Sequence, residues 1–261
     1  MQLLERIYQQ ALPALEGKRV REVRIGLGLL AVELDDGSLA VSYVLRDELP
    51  PGCTVIPADT PLSGVEASEM AVWAFKGRNP LLSSLGVAVL NSAVDPVAIE
   101  RCSRDTLAEL IHTDDQIGMI GYIEPMAQFL KSWTAKELII FDRSREPFGD
   151  VYPESRQREL LPQCDILLVT GTTLLNRSLD LILQQATNAR EIILVGTSTP
   201  LYPEAFRDTK VTQLAGSLWR PEYRAAIFSA ISEARGMRVL SKYGKKVFLA
   251  IPKGVIPSAQ K

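Results

Sequence analysis

Residues 165–199, DILLVTGTTLLNRSLDLILQQATNAREIILVGTST, decide the fold class of this chain. Two short, unbroken apolar runs, ILLV at 166–169 and IILV at 192–195, have the length and composition of buried strands. A stretch with helical character, LLNRSLDLILQQA, lies between them. Buried strands that alternate with helices are typical of a parallel sheet covered on both faces. The stretch therefore predicts an α/β fold.

The same alternation continues on both sides of this stretch. QIGMIGYI and KELIIFD are predicted strands, and PMAQFLKSW, RQRELLPQ and PEYRAAIFSAISEA are predicted helices. We therefore predict that residues 101–261 form a Rossmann-like α/β domain with a mostly parallel sheet. Asp95-Pro96 and the charged run RCSRD, 101–105, indicate that residues 95–104 are a linker in front of that domain.

Residues 1–100 have a different order of elements: a helix, then strands, then helices. VREVRIGLGLLAVEL, residues 20–34, is predicted to be one strand because it is rich in Val, Ile and Leu. Asp36-Gly37 separates two alternating runs, which is a strong hairpin signal. Helices are predicted over 67–76 and 80–94. These residues therefore form a predicted smaller α+β domain.

Composition and charge narrow the classes of function. The 261 residues carry a net charge of −2 and no basic stripe, so nucleic acid is not an expected partner. The N-terminus lacks the features of a signal peptide, and no apolar run approaches the roughly 20 residues that span a bilayer. The three cysteines are scattered, without a C-x-x-C pair. We expect a cytoplasmic protein without a membrane partner.

The ends of the predicted parallel strands carry the candidate ligand-binding residues, because doubly wound sheets bind ligands beyond the carboxyl ends of their strands. Gly121 follows one strand, and Asp142 ends the next strand 21 positions later, at the distance of a ribose-binding carboxylate. Tyr122, Glu124 and Pro125 stand where such a fingerprint has glycines. A ligand without phosphate fits this loop better than NAD, and the alternative that Gly121 only permits a tight turn stays open.

Thr170, Gly171, Thr172 and Thr173 form the most specific of these strand ends. A helix cap, with Thr172 or Thr173 as the capping residue, would explain one hydroxyl. It would not explain Asn176, which is predicted to lie inside the following helix and to face the strand ends. We therefore expect the hydroxyls and this amide to contact a ligand.

A metal site is a separate possibility. His112 is the single histidine of the chain, and Asp114 and Asp115 follow it, without the spacing of a zinc site. A site for a hard divalent ion, built from carboxylates and amides, stays open. The interpretation that we favour for HTDD is a polar loop before a strand.

Three segments resemble a known family: VAVLNSAV at 87–94, IGMIGYIEP at 117–125, and the block from Leu161 to Gly216. The family is known as the putative heavy-metal chelation family, with an enolase-N-terminal-like domain followed by a Rossmann-like domain. The resemblance implies a cleft between the two domains. The residues that it implies for this cleft are Glu69, Asn91, Thr170, Gly171, Thr172, Asn176, Gly196 and Ser198. Together with Gly121, Tyr122 and Asp142 they are the predicted ligand-binding residues.

Two positions depart from the pattern of that family. Arg177 stands where a small residue, often glycine, is expected, and Glu124 stands where an apolar residue or proline is usual. Without the resemblance, a satisfied core amide is the simpler interpretation of Asn91, and a solvated helix face that of Glu69.

The residues and the resemblance together favour a cytoplasmic small-ligand-binding protein that chelates a metal or a metal complex in the cleft between the domains. A divalent metal ion is the cofactor that this function would imply. The alternative is a transferase or lyase that acts on a small anionic or nucleoside-bearing substrate, with Glu69 or Glu124 as the base. A homo-oligomer is left open.

Overall fold

The computed structural model describes residues 2–52, 54–104 and 107–252. The strands are β1 Val20–Ile25, β2 Leu29–Leu34, β3 Leu39–Tyr43, β4 Ile117–Ile120, β5 Ile139–Phe141, β6 Ile166–Thr170, β7 Glu191–Val195, β8 Gln213–Trp219 and β9 Gly244–Ala250. The helices are α1 Leu3–Leu15, α2 Ala67–Lys76, α3 Pro80–Ser92, α4 Pro96–Cys102, α5 Leu107–Leu110, α6 Glu124–Trp133, α7 Gln157–Leu160, α8 Leu179–Gln185, α9 Arg224–Ser232 and α10 Met237–Leu240.

The N-terminal part is a three-stranded antiparallel sheet in the order β1-β2-β3. Strand β2 is buried along its whole length because its alternate residues face two different cores. Leu30 and Val32 join the core formed with α1, α2 and α3, whereas Leu29 and Ala31 pack with Ile227 on α9. The small sheet is therefore covered on both faces.

The C-terminal part is a six-stranded sheet in the order β5-β4-β6-β7-β8-β9. The first five of these strands are parallel, and β9 runs antiparallel to β8, so the predicted mostly parallel α/β sheet is confirmed. The chain reverses its winding direction between β4 and β6. In doubly wound sheets the crevice for a ligand opens at the carboxyl ends of the two strands at such a reversal.

The structure corrects several boundaries. Gly26–Gly28 separates β1 from β2, so the predicted strand over 20–34 is two strands. The predicted linker contains a helix, α4, and the Asp95 carboxylate caps it by accepting a bond from the Val97 N–H at 2.9 Å. Helix α8 begins only at Leu179, and strands β8 and β9 were not predicted.

The two sheets share one hydrophobic cluster. Leu85 and Leu90 of α3 belong to the same buried cluster as Leu201 and Phe206, which follow β7. The domain boundary near residue 100 stays a prediction. Within the described part of the chain, no single helix is both long and apolar enough to cross a bilayer, and only α3 and α4 taken as a bent pair pass that test.

Candidate functional site

Gly121 brings the loop after β4 against the end of β6. Its φ is +83°, a conformation that favours glycine, and its N–H donates to the Phe141 carbonyl at 2.7 Å. A Cβ on this residue would lie 2.8 Å from the Thr170 side chain. Gly121 therefore permits both a left-handed turn and a close approach at the point where the sheet reverses.

Asp142 ties the loop after β5 to the loop after β4. One carboxylate oxygen accepts a bond from the Tyr122 N–H at 2.7 Å, and the other accepts one from the Ser144 N–H at 2.9 Å. The Arg145 guanidinium lies 4.1 Å from the centre of the Tyr122 ring. The carboxylate is thus engaged with the backbone, and its contact with a ribose stays a prediction.

The turn from Thr170 to Asn176 connects β6 to α8. Thr170 caps it, since its hydroxyl accepts a bond from the Thr172 N–H at 3.4 Å and lies 3.1 Å from the Thr172 hydroxyl. The alternative in which Thr172 or Thr173 is the cap therefore does not hold, and Asn176 lies in a turn rather than in the predicted helix. The Asn176 amide oxygen accepts bonds from Ser178, at 2.8 Å from the hydroxyl and 3.3 Å from the N–H.

Sequence reasoning missed Glu48, which lies in a single turn of 3-10 helix at Arg46–Glu48. Its Oε1 atom accepts a bond from Asn176 Nδ2 at 2.9 Å and one from Arg143 at 3.0 Å. Arg143 also makes two bonds to the Glu154 carboxylate, at 2.6 and 2.8 Å. This pairing lowers the pKa of Glu154 and raises that of Arg143. The N-terminal part therefore contributes directly to the carboxyl edge of the large sheet.

Arg177 has a φ of +60°, which only glycine adopts without strain. This conformation explains why a small residue is expected at the position. The Arg177 side chain donates to the carbonyls of Phe75 and Gly77 at the end of α2, at 3.0 and 2.9 Å. The two hydrogen bonds of Arg177 to the end of α2 thus offset the strain that a glycine would avoid at this position, and they connect the two parts of the chain.

A second group of predicted residues lies on the other side of the same turn. A Cβ on Gly171 would be 2.7 Å from the Thr199 N atom, so the loops after β6 and β7 touch here. Asn91 at the end of α3 donates to the Thr197 carbonyl at 3.3 Å. Asn91 Oδ1 and Thr199 Oγ1 are two of the five buried side-chain polar atoms without a hydrogen-bond partner among the described residues.

Ser198 is fully buried and does not face an open cleft. Its hydroxyl lies 2.9 Å from that of Ser42 and accepts a bond from the Tyr43 N–H at 2.9 Å. Ser84 completes this buried serine cluster at 3.0 Å from Ser42. Gly196, with a φ of +114°, begins the loop that carries these contacts. Ser198 therefore positions the loop after β7 against β3.

Glu69 lies elsewhere on the surface. It is exposed on α2, beside an open pocket that it lines with Arg19, Glu66 and Trp73. Glu124 is exposed at the start of α6, at 3.6 Å from Arg238. The contacts described above link the remaining predicted residues into one strip along the carboxyl edge, which runs from Asp142 through Thr170 to Asn91.

The ligand atoms of His112, Asp114 and Asp115 lie within 4.8 Å of one another, at the amino end of β4. This end is opposite to the carboxyl edge. The buried Asp115 carboxylate is paired with Arg190, at 2.6 and 2.7 Å, and the guanidinium lowers the pKa of Asp115. The same guanidinium lies 3.5 Å from His112 Nδ1. Because Arg190 already supplies the positive charge, the cluster does not suit a metal ion.

The two cysteines that the structure describes also fit a soft metal ion poorly. Cys164 is buried, and burial raises the pKa of its thiol to about 12, so the thiolate that would bind a metal is scarce at neutral pH. Cys102 is exposed at the end of α4. Cys53 lies outside the described residues.

Comparison with known proteins supports the resemblance noted in the sequence. Residues 106–250 match the family model DUF364, and residues 8–94 match the model DUF4213; both are described as putative heavy-metal chelation. An uncharacterised protein of Methanocaldococcus jannaschii is 32% identical over 138 residues. That alignment covers 51% of this chain and 53% of the archaeal protein, so it spans about half of each.

Two crystal structures have a similar fold, both of DUF364 proteins with unknown function. The structure from Pyrococcus horikoshii has a TM-score of 0.78 at 25% identity and covers 96% of this chain and 100% of its own. The structure from Desulfitobacterium hafniense has a TM-score of 0.75 at 22% identity, with coverages of 95% and 98%. Since the DUF364 model alone matches more than half of the residues, the chain belongs to the family described as putative heavy-metal chelation.

Proposed function

We propose that the protein binds a small polar organic molecule, free or as its metal complex, at the carboxyl edge of the large sheet. The observation that carries the proposal is the pair of buried, unpartnered atoms Asn91 Oδ1 and Thr199 Oγ1. Leaving a buried polar group without a partner costs about 1–3 kcal/mol. A ligand that reaches Asn91 Oδ1 through a small displacement of the loop after β7, and donates an N–H or O–H group to it, would recover that free energy.

The donor set favours a complexed metal over a bare ion. Within the part of the chain that the structure describes, the cluster of candidate metal ligands is at the opposite end of the sheet and is paired with Arg190. Apart from the Asp142 carboxylate, which already accepts bonds from the N–H groups of Tyr122 and Ser144, the strip offers an amide and hydroxyls, from Asn91, Thr170, Thr172 and Thr199. Such groups recognise the polar atoms of an organic molecule, which would supply its own ligands to the metal.

Thr199→Val tests the unpartnered hydroxyl without requiring a known ligand. Valine has a similar shape, so the variant removes a buried group that lacks a partner and keeps the packing. We expect the free energy of unfolding to rise by about 1 kcal/mol, as measured by urea denaturation. Thr187→Val, which removes an exposed hydroxyl, is the control. A loss of stability in Thr199→Val would show that the hydroxyl already has a partner, and the proposal would fail.

The ligand class is tested by thermal melts with three kinds of probe. These are nickel, cobalt, copper and zinc chlorides alone, citrate alone, and the citrate complexes of the same metals. We expect citrate or its complexes to raise the melting temperature, and Asn91→Leu to remove that rise. Stabilisation by a metal chloride alone that persists in Asn91→Leu would assign metal binding to other residues.

A further inference from the structure

Two side chains from different loops point at one oxygen atom beside the turn from Thr170 to Asn176. Arg143 follows β5, Asn176 ends the turn, and both donate to Oε1 of Glu48, at 3.0 and 2.9 Å. A guanidinium and an amide N–H that converge on a carboxylate oxygen have the geometry of a carboxylate-binding site. We call Arg143 and Asn176 the carboxylate niche.

Contacts that do not involve Glu48 hold both donors of the niche. Arg143 is fixed by its two bonds to Glu154, which leave the third bond for the niche. The amide of Asn176 is oriented by Ser178, whose hydroxyl and N–H both donate to its Oδ1 atom. The niche therefore keeps its shape when Glu48 moves away.

Glu48 is the member that is easiest to displace. It lies on a 3-10 turn of three residues, none of which is buried, and its side chain is 26% exposed. Its one bond to Arg143 is a partly exposed ion pair, which contributes little to stability, whereas Glu154 holds the same guanidinium by two bonds in a bidentate geometry. The carboxylate of a ligand could therefore replace that of Glu48 without loss of buried core contacts.

We propose that the carboxylate niche binds a carboxylate group of the ligand and that Glu48 occupies the niche in the free protein. The inference rests on the proposed function for the existence of the ligand, and it adds a chemical class: the ligand is a carboxylic acid. Glu48 then acts as an internal competitor, which sets a threshold of ligand concentration below which the niche stays closed.

The test removes the competitor and supplies a small substitute. In Glu48→Ala, sodium acetate or succinate should raise the melting temperature saturably at constant ionic strength, with an apparent Kd roughly tenfold or more below that of the wild type. The double variant Glu48→Ala, Asn176→Leu should lose the response. Asp47→Ala removes an exposed neighbouring carboxylate that pairs with Arg46, and it should behave as the wild type.

Each other outcome overturns the proposal. Absence of a saturable response in Glu48→Ala would show that the niche does not bind carboxylates. An equal response in the wild type, or in Asp47→Ala, would show that Glu48 does not compete. If Glu48→Ala does not fold, Glu48→Gln keeps the shape and removes the charge, and it should also lower the Kd. Asn91→Leu separates this proposal from the proposed function, since it should leave the acetate response of Glu48→Ala intact.

Discussion

Arg190 donates two hydrogen bonds to the Asp115 carboxylate, at 2.6 and 2.7 Å, and so connects the loop before β4 to the start of β7. A third bond runs from the same guanidinium to the Leu110 carbonyl at 2.9 Å. Asp115 also accepts the His112 N–H at 2.7 Å, which fixes the loop that carries the single histidine. The function of this group is to hold the amino end of the sheet together.

Asp115→Asn should destabilise the protein by about 1–2 kcal/mol at neutral pH, because it leaves a partly exposed arginine without its charge partner. The pKa of Asp115 is lowered in the folded state, so its contribution is present above about pH 4, the unfolded value, and is lost as the pH falls through the folded value. Urea unfolding of variant and wild type should therefore converge at acid pH. Asp114→Asn, at an exposed position, should have no effect at either pH.

Arg177→Ala and Arg177→Gly should differ, although both remove the bonds to Phe75 and Gly77. Alanine retains the cost of a positive φ, whereas glycine adopts +60° without strain. We expect the glycine variant to be more stable than the alanine variant by about 1 kcal/mol in urea denaturation. Equal stabilities would mean that the backbone at this position carries no strain.

Gly86→Ala should reverse the usual benefit of alanine in a helix, which is about 1 kcal/mol. A Cβ at this position of α3 would lie 2.1 Å from the Ala74 N atom of α2, so the two helices would have to separate. We expect a loss of about 3 kcal/mol or more. Gly28→Ala is the matched control, since a Cβ there meets nothing within 4 Å. A small effect in Gly86→Ala would contradict this helix contact.

Cys164 should resist alkylation by iodoacetamide in the folded protein at about pH 8, because its pKa of about 12 leaves the thiol protonated. Cys102 is exposed and should react under the same conditions. Peptide mass spectrometry after labelling, with and without guanidinium chloride, distinguishes the two cysteines. Rapid labelling of Cys164 in the native state would instead show that its thiolate is available to bind a soft metal ion.

Local signals in the sequence predicted much of the fold. The apolar runs at 166–169 and 192–195 are strands β6 and β7, and Asp36-Gly37 forms the hairpin between β2 and β3. The predicted residues at the strand ends lie along one edge because parallel strands place their carboxyl ends together. These predictions succeeded because each depends on residues that are close together in the sequence.

The predictions that failed concern residues whose conformation depends on contacts with distant parts of the sequence. Arginine favours helices, so nothing local indicated that Arg177 would adopt a positive φ and that the predicted helix would begin only at Leu179. The reason lies in its contacts with the end of α2, 100 residues or more away in sequence. Glu48 was missed because its partner Asn176 is 128 positions away. Polar contacts of this kind become visible only when the chain is folded.

The buried serine cluster has a consequence for how a ligand reaches the strip. Ser42 and Ser84 belong to the N-terminal part, and Ser198 belongs to the loop after β7. A hinge motion that separated the two parts would therefore break up the hydrogen bonds among these three hydroxyl groups. Such a motion would also open the shared hydrophobic cluster to water. The free-energy barrier to such a hinge motion is therefore high. We expect small displacements of surface turns, rather than a rotation of one part of the chain against the other, to limit the rate at which the ligand binds and leaves.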